Sequence, residues 1–238
     1  MTTLSAQRRL ATPEIEICEH EGILVVRDDR MPGGTKARVL PLLFDDHAEY
    51  VYASPVQGYA QVALAYCAAA HGKRATIFTA ARKKRHPRTV EALRAGARLV
   101  EIGPAGYLSV VRKRARDYCA VAGAKLLPFG LDVEPIRSGI ARLAAGLPVK
   151  PREVWTVAGS GTLSRALQAA WPAARFFAVR IGAVPNAGRA TVLVAPERFD
   201  DAAIEPPSFP SCENYDAKAW AFIRRHAKPG ALFWNVAA

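Results

Sequence analysis

Residues 153–170 read EVWTVAGSGTLSRALQAA, and this stretch decides the fold. Its first residues are rich in β-branched and aromatic side chains, which predicts a buried strand over Glu153–Val157. Gly159-Ser160-Gly161 then makes a turn of small residues, and Thr162 opens a helix that runs to Ala170. Small residues at such a junction let backbone N–H groups converge on an anion at the positive end of a helix. The turn lacks the Gly-Lys-Ser/Thr ending of a P-loop and the full GxGxxG of a dinucleotide site. A tight strand–helix turn without a ligand is the plain alternative.

The same alternation extends in both directions. Upstream, strands are predicted at Ile23–Val26, Tyr50–Ala53, Arg74–Thr79 and Arg98–Ile102, with a short one at Leu126 and Leu127. Helices are predicted at Thr35–Leu43, Gly58–Ala70, Pro87–Ala95, Tyr107–Ala120 and Pro135–Ala145. Downstream, apolar runs at Arg175–Ile181 and Ala190–Val194 precede a helix near Ala217–Arg225 and a last strand, Ala231–Asn235. Strands alternating with helices of this length predict an α/β fold, a mostly parallel sheet with helices on both faces. The Pro-rich, acidic segment Glu197–Pro210 reads as a long loop.

The chain has 238 residues, half of them hydrophobic, enough for one large α/β domain or two small lobes. No apolar run approaches the roughly 20 residues of a membrane-spanning helix, so no membrane partner is expected. Met1–Leu10 carries Arg8 and Arg9 without a following apolar stretch, so the sequence predicts no secretory signal and a cytoplasmic protein. Four scattered cysteines form no CxxC pair, and no metal site is expected. The net charge of +12 favours polyanionic partners.

Two further turns could carry chemistry. Gly33-Gly34-Thr35-Lys36 places a lysine at a helix start, where the dipole disfavours a cation. Lys36 would then either bind a phosphate or act as a neutral amine forming a Schiff base; a solvated lysine after a turn is the simpler local reading. Ser54-Pro55-Val56-Gln57-Gly58-Tyr59-Ala60-Gln61 is a polar turn before an alanine-rich helix, suited to a carboxylate or a ring oxygen.

In this order, the three turns resemble the tryptophan-synthase-β-like, fold type II superfamily of pyridoxal-phosphate enzymes. The nearest pattern is that of aminocyclopropane-carboxylate deaminase and D-cysteine desulfhydrase. Val26-Arg27-Asp28-Asp29 and Gly33–Lys36 look like the family's lysine segment, and His71-Gly72 after the alanine-rich helix is similar too. So are Gly159–Thr162 for the phosphate loop, Tyr215-Asp216-Ala217-Lys218 for a late Tyr-x-x-Lys helix, and Phe233-Trp234-Asn235 for the terminal strand. The chain departs from the family in being shorter. Gln57 or Gly58 falls where the family has an asparagine beside the ring, and Asn235 stands where it has Ser or Thr.

The resemblance implies a shortened two-lobed fold, with residues 1–46 and 146–238 as the cofactor lobe and residues 47–145 as the smaller α/β lobe. It implies pyridoxal 5′-phosphate on Lys36 as a Schiff base, with Lys36 as proton shuttle and Tyr215 as a candidate acid/base. Gln57, Gly58 and Asn235 would line the cofactor, and Gly159, Ser160, Gly161 and Thr162 would hold its phosphate. Asn235 is the first choice beside the ring nitrogen, ahead of Ser211 or Cys212. A homodimer is also implied. His47, His71 and His86 sit near predicted helix ends, which favours surface or capping roles.

The basic clusters Arg82-Lys83-Lys84-Arg85 and Arg112-Lys113-Arg114 exceed what a free amino acid requires. They favour duplex DNA as a partner, and an amino acid attached to a thymine base, as in bacteriophage hypermodified DNA, as the substrate of a lyase, a decarboxylase included. A free-amino-acid deaminase or desulfhydrase is the alternative within the enzyme class. A non-catalytic pyridoxal-phosphate- or nucleotide-binding protein is the alternative outside it.

Overall fold

Every side chain of the last strand is buried, which places Leu232–Asn235 inside a sheet rather than at its edge. A computed structural model describes residues 13–103, 106–182 and 184–238; Arg8 and Arg9 lie outside them.

In the larger sheet, β1 (Ile17–His20), β2 (Ile23–Arg27), β10 (Leu232–Asn235), β7 (Glu153–Ala158), β8 (Arg175–Arg180) and β9 (Thr191–Val194) lie in the order β1-β2-β10-β7-β8-β9. All neighbours are parallel except β1, which runs against β2. The smaller sheet is wholly parallel, β5 (Arg98–Ile102), β4 (Arg74–Ala80), β3 (Glu49–Ala53) and β6 (Lys125–Leu126), in the order β5-β4-β3-β6.

The helices are α1 (Gly34–Val39), α2 (Ala60–Ala70), α3 (Pro87–Arg94), α4 (Leu108–Ala122), α5 (Glu134–Ala145), α6 (Thr162–Ala170) and α7 (Trp220–His226). α5 packs on α6 and α1, while α2 and α4 cover the smaller sheet. Trp155, Trp220 and Phe233 form a buried cluster between the larger sheet and α7.

Three local features depart from the sequence reading. β1 was not expected; it joins β2 through Glu21-Gly22, both at positive φ (53° and 76°), a two-residue hairpin turn. The helix expected over Thr35–Leu43 is α-helical only to Val39 and tightens into a 3-10 turn at Leu40–Leu43, where Pro41 supplies no N–H. The Tyr-x-x-Lys segment is likewise a 3-10 turn, Asp216–Ala219, leading into α7.

The Arg27-Asp28-Asp29 segment folds inward. Asp28 is fully buried and accepts hydrogen bonds from Thr35 Oγ1 (2.7 Å), Arg38 Nε (2.6 Å) and Trp234 Nε1 (3.1 Å). Arg27 forms a two-pronged pair with Asp29, both bonds at 2.8 Å. A buried carboxylate persists only when its lone pairs are met, and here three donors meet them. The knot binds the end of β2, the start of α1 and the last strand together.

Candidate functional site

β2, β10 and β7 are adjacent and parallel, so their carboxyl ends lie side by side, and adjacent strands set β2 and β7 roughly 10 Å apart. The chain after β2 becomes α1 with Lys36, and the chain after β7 becomes the glycine turn before α6. Ligands of open α/β sheets bind in such a crevice.

Gly34 holds φ at 65°, and a Cβ there would lie 2.3 Å from the carbonyl oxygen of Val236. Only glycine lets the start of α1 lie this close to the end of the chain. Two residues on, Lys36 is part-buried, and its ammonium has no hydrogen-bond or ion-pair partner among the described residues. Burial pushes its pKa down to about 8, against an opposing pull from Asp132. An amine so placed is neutral often enough near pH 7–8 to act as a nucleophile or base.

At the second turn, Gly161 sits at the helix N-cap with φ 81°, where a Cβ would strike the Asn186 carbonyl oxygen at 2.0 Å. The amides of Ser160 and Gly161 have no acceptor among the described residues. Ser160 Oγ and Thr162 Oγ1 are 2.9 Å apart, and Gly159 N donates to Tyr215 Oη at 2.8 Å. Gly130 approaches the same turn, since a Cβ on it would lie 3.3 Å from the Ser160 Cβ. Free amides, two hydroxyls and a helix N-terminus suit a phosphate.

The third turn is built differently. Gln61 Nε2 donates to the carbonyls of Val56 and Gly58, and Ser54 Oγ donates to Pro55 O. Gln57 reaches away to Asp200 Oδ1 at 3.1 Å, on the Glu197–Pro210 loop. Gln57 therefore spans two loops, and Gly58 closes its turn against Ser54.

The residue that sequence reasoning missed, Asp216, packs against the chain just past the end of β10. Asn235 is fully engaged, its Oδ1 accepting from Ser211 Oγ at 2.7 Å and its Nδ2 donating to Pro210 O at 2.9 Å. Cys212 accepts from Arg88 at 2.8 Å and donates to Asn214. Asp216 is buried; one carboxyl oxygen accepts the Ala237 amide at 3.1 Å and the other has no partner. Burial pushes its pKa up to about 8. The signal was its place inside the Tyr215–Lys218 motif, directly after Tyr215. Tyr215 itself is raised above the ordinary phenol range by burial.

The basic residues divide. Arg85 pairs with Glu101 and Lys113 with Asp117, while Arg82, Lys83 and Lys84 are exposed and without acidic partners among the described residues. Arg112 stacks over Phe129 at 5.4 Å. The histidines take local roles: His86 caps α3 by accepting from Arg88 N, His71 bonds the Cys67 carbonyl at the end of α2, and His47 pairs with Asp45 on the surface.

No protein-family profile matches the chain, and no curated protein matches it in sequence. Solved structures match it closely in shape. A crystal structure of an ACC deaminase homologue superposes with a TM-score of 0.80 at 14% identity, covering 94% of this chain and 89% of that one. A threonine deaminase from T.th. gives 0.66 at 16% identity, over 91% and 87% of the two chains. Apo diaminopropionate ammonia lyase of Escherichia coli gives 0.68 at 14% identity, over 98% and 84%. The chain therefore has the fold of these deaminase and ammonia-lyase structures, the fold type II architecture that its sequence resembles.

Proposed function

We propose that the protein is a pyridoxal-phosphate enzyme, a lyase acting at Cα of an amino acid. The observation that carries this reading is the amine of Lys36, part-buried and unpaired at the carboxyl edge of the sheet that also bears the glycine turn. The residues present fit the cofactor. Lys36 would bind its aldehyde, the Ser160 and Gly161 amides with Thr162 would hold its phosphate, and the free oxygen of Asp216 is an unpaired acid for the ring nitrogen. That assignment replaces Asn235, whose amide is spent on the 210–211 loop. The two sheets would act as separate lobes around the cleft.

Pyridoxal phosphate, when bound, supplies an electron sink for negative charge at Cα. Lys36, with its lowered pKa, takes and returns the proton at Cα. Tyr215 holds the Gly159 amide and so fixes the turn. Asp216 keeps a proton or a charge at the buried end of the last strand. The named structural neighbours are deaminases and an ammonia lyase, which favours loss of ammonia over loss of carboxylate. The test is the absorbance of purified protein titrated with pyridoxal phosphate. A band of lysine-bound cofactor should form in wild type and not in Lys36→Ala, and amino acids should shift it. A non-catalytic binding protein would form the band and show no shift.

A second reading, an amino acid borne on a thymine base in DNA, is supported by Arg82, Lys83, Lys84 and Arg112, exposed cations without acidic partners among the described residues. Retention on duplex DNA that weakens with salt supports it, and no retention at low salt ends it. A free-amino-acid deaminase or desulfhydrase then stands.

A further inference from the structure

A cavity lies at the carboxyl edge of the smaller sheet, and Lys36 is not among the residues that line it. It has a volume of about 180 Å³ and is lined by Ala53, Leu127, Pro128, Phe129, Arg112 and Arg116. Ala53 ends β3, and Leu127 follows the last residue of β6, so the cavity opens where ligand crevices of parallel sheets open. We propose that it binds a nucleotide, with the phosphate on Arg112 and Arg116 and the flat ring against Phe129.

Arg112 and Arg116 are one turn apart on α4, a spacing at which like charges repel. Neither has an acidic partner among the described residues, although Lys113 on the same helix pairs with Asp117. Two cations aimed into one hollow with no acid between them suit a phosphate, which two guanidinium groups can clasp with several hydrogen bonds. Phe129 is 41% exposed, and the Arg112 guanidinium covers one part of its ring. An open aromatic ring beside a stacked arginine is a platform for a base. Arg82, Lys83 and Lys84, in the loop after β4, extend the positive rim along neighbouring strand ends.

The cavity connects to the candidate active site through its own loop. Phe129 leads into Gly130, whose amide is held by Tyr52 Oη at 3.1 Å and whose Cα faces Ser160. Asp132, two residues on, is the acid that acts on Lys36. A nucleotide seated on Phe129 would thus lie along the loop that borders the glycine turn. This inference rests on the DNA reading for the origin of the nucleotide, but the pocket's binding is measurable without cofactor.

The test is fluorescence anisotropy at low salt with a labelled thymidine pentanucleotide and a labelled duplex, competed by thymidine monophosphate and by inorganic phosphate. The pair Arg112→Gln/Arg116→Gln should weaken pentanucleotide and monophosphate binding about tenfold or more, and Phe129→Ala about fivefold, with Phe129→Tyr restoring it. Arg152→Ala, at the amino end of β7, should change nothing. Thermal melts of the surface variants should match wild type. The pocket inference is overturned if inorganic phosphate competes as well as the monophosphate, or if the Arg112/Arg116 and Phe129 variants bind as wild type. Duplex binding lost only in Arg82→Ala/Lys83→Ala/Lys84→Ala would sink the pocket and leave the DNA reading standing. No binding by any nucleotide would end both, with the Lys36 reading untouched.

Discussion

The Tyr215 hydroxyl accepts the amide hydrogen of Gly159 at 2.8 Å, so the 3-10 turn before α7 holds the glycine turn after β7. The bond joins elements 56 residues apart. A Cβ on Gly159 would approach that hydroxyl to 3.0 Å, so a larger residue there would crowd the contact. Tyr215→Phe leaves the Gly159 amide without its acceptor, which costs about 1–3 kcal/mol. The expected outcome is a lower melting temperature and about tenfold weaker cofactor binding by titration. Unchanged values for both would remove the hydroxyl from the turn's support.

Lys36 makes a pH-dependent prediction for the cofactor-free protein. Its folded pKa, about 8, lies below the unfolded value of 10.5, so the folded state binds fewer protons between them. Wild type should therefore gain stability relative to Lys36→Met as pH rises from 8 to 10.5. The gain should be about 1–2 kcal/mol once solvent on the open side of the cleft is allowed for. Urea midpoints at pH 7.5 and pH 10 check it; parallel curves would mean an amine that titrates normally. Lys36→Met should also lose the lysine-bound absorbance entirely.

Asp216 carries the opposite sign. Its folded pKa, about 8, lies above the unfolded 3.8, so the folded state holds an extra proton in that window and stability falls as pH rises through it. Asp216→Asn removes the slope. Its advantage over wild type should widen by roughly 2–4 kcal/mol between pH 5 and pH 8 in cofactor-free protein. Loading the cofactor should flatten the wild-type slope, because a ring nitrogen would pair with the charged carboxylate. A wild-type slope that loading leaves intact would assign the ring nitrogen elsewhere.

The alternation of strands and helices was legible because strands buried on both faces are rich in β-branched and aromatic residues, as at Glu153–Ala158 and Leu232–Asn235. β1 was not legible, because Ile17-Cys18-Glu19-His20 is an edge strand with mixed polarity and lacks that richness. The lysine and glycine turns were legible from small residues at strand–helix junctions. The inward fold of Asp28 was not, since its partners Thr35, Arg38 and Trp234 come from two other elements. Asp216 escaped for the same reason: an acid after Tyr215 looks solvated until Ala237 and the last strand close over it. Asn235 and Gln57 were placed by analogy, and their hydrogen bonds to Ser211, Pro210 and Asp200 depend on a loop whose path no local pattern sets.

Two glycines with nearly equal φ separate backbone strain from steric contact. Gly34 (φ 65°) and Gly72 (φ 64°) both occupy the left-handed region, which costs a non-glycine residue about 1–2 kcal/mol. A Cβ on Gly72 meets nothing within 4 Å, whereas one on Gly34 would lie 2.3 Å from Val236 O and 3.1 Å from the Tyr59 ring. Gly72→Ala should therefore cost only the strain. Gly34→Ala should cost about 3 kcal/mol or more, because the obstacle is backbone and must move. That movement would shift the start of α1 against the last strand, so Gly34→Ala should also lose the lysine-bound absorbance while Gly72→Ala keeps it. Urea midpoints and a cofactor titration on the two variants decide the matter. Equal costs would mean that the two segments are not packed as closely as the carbonyl of Val236 requires.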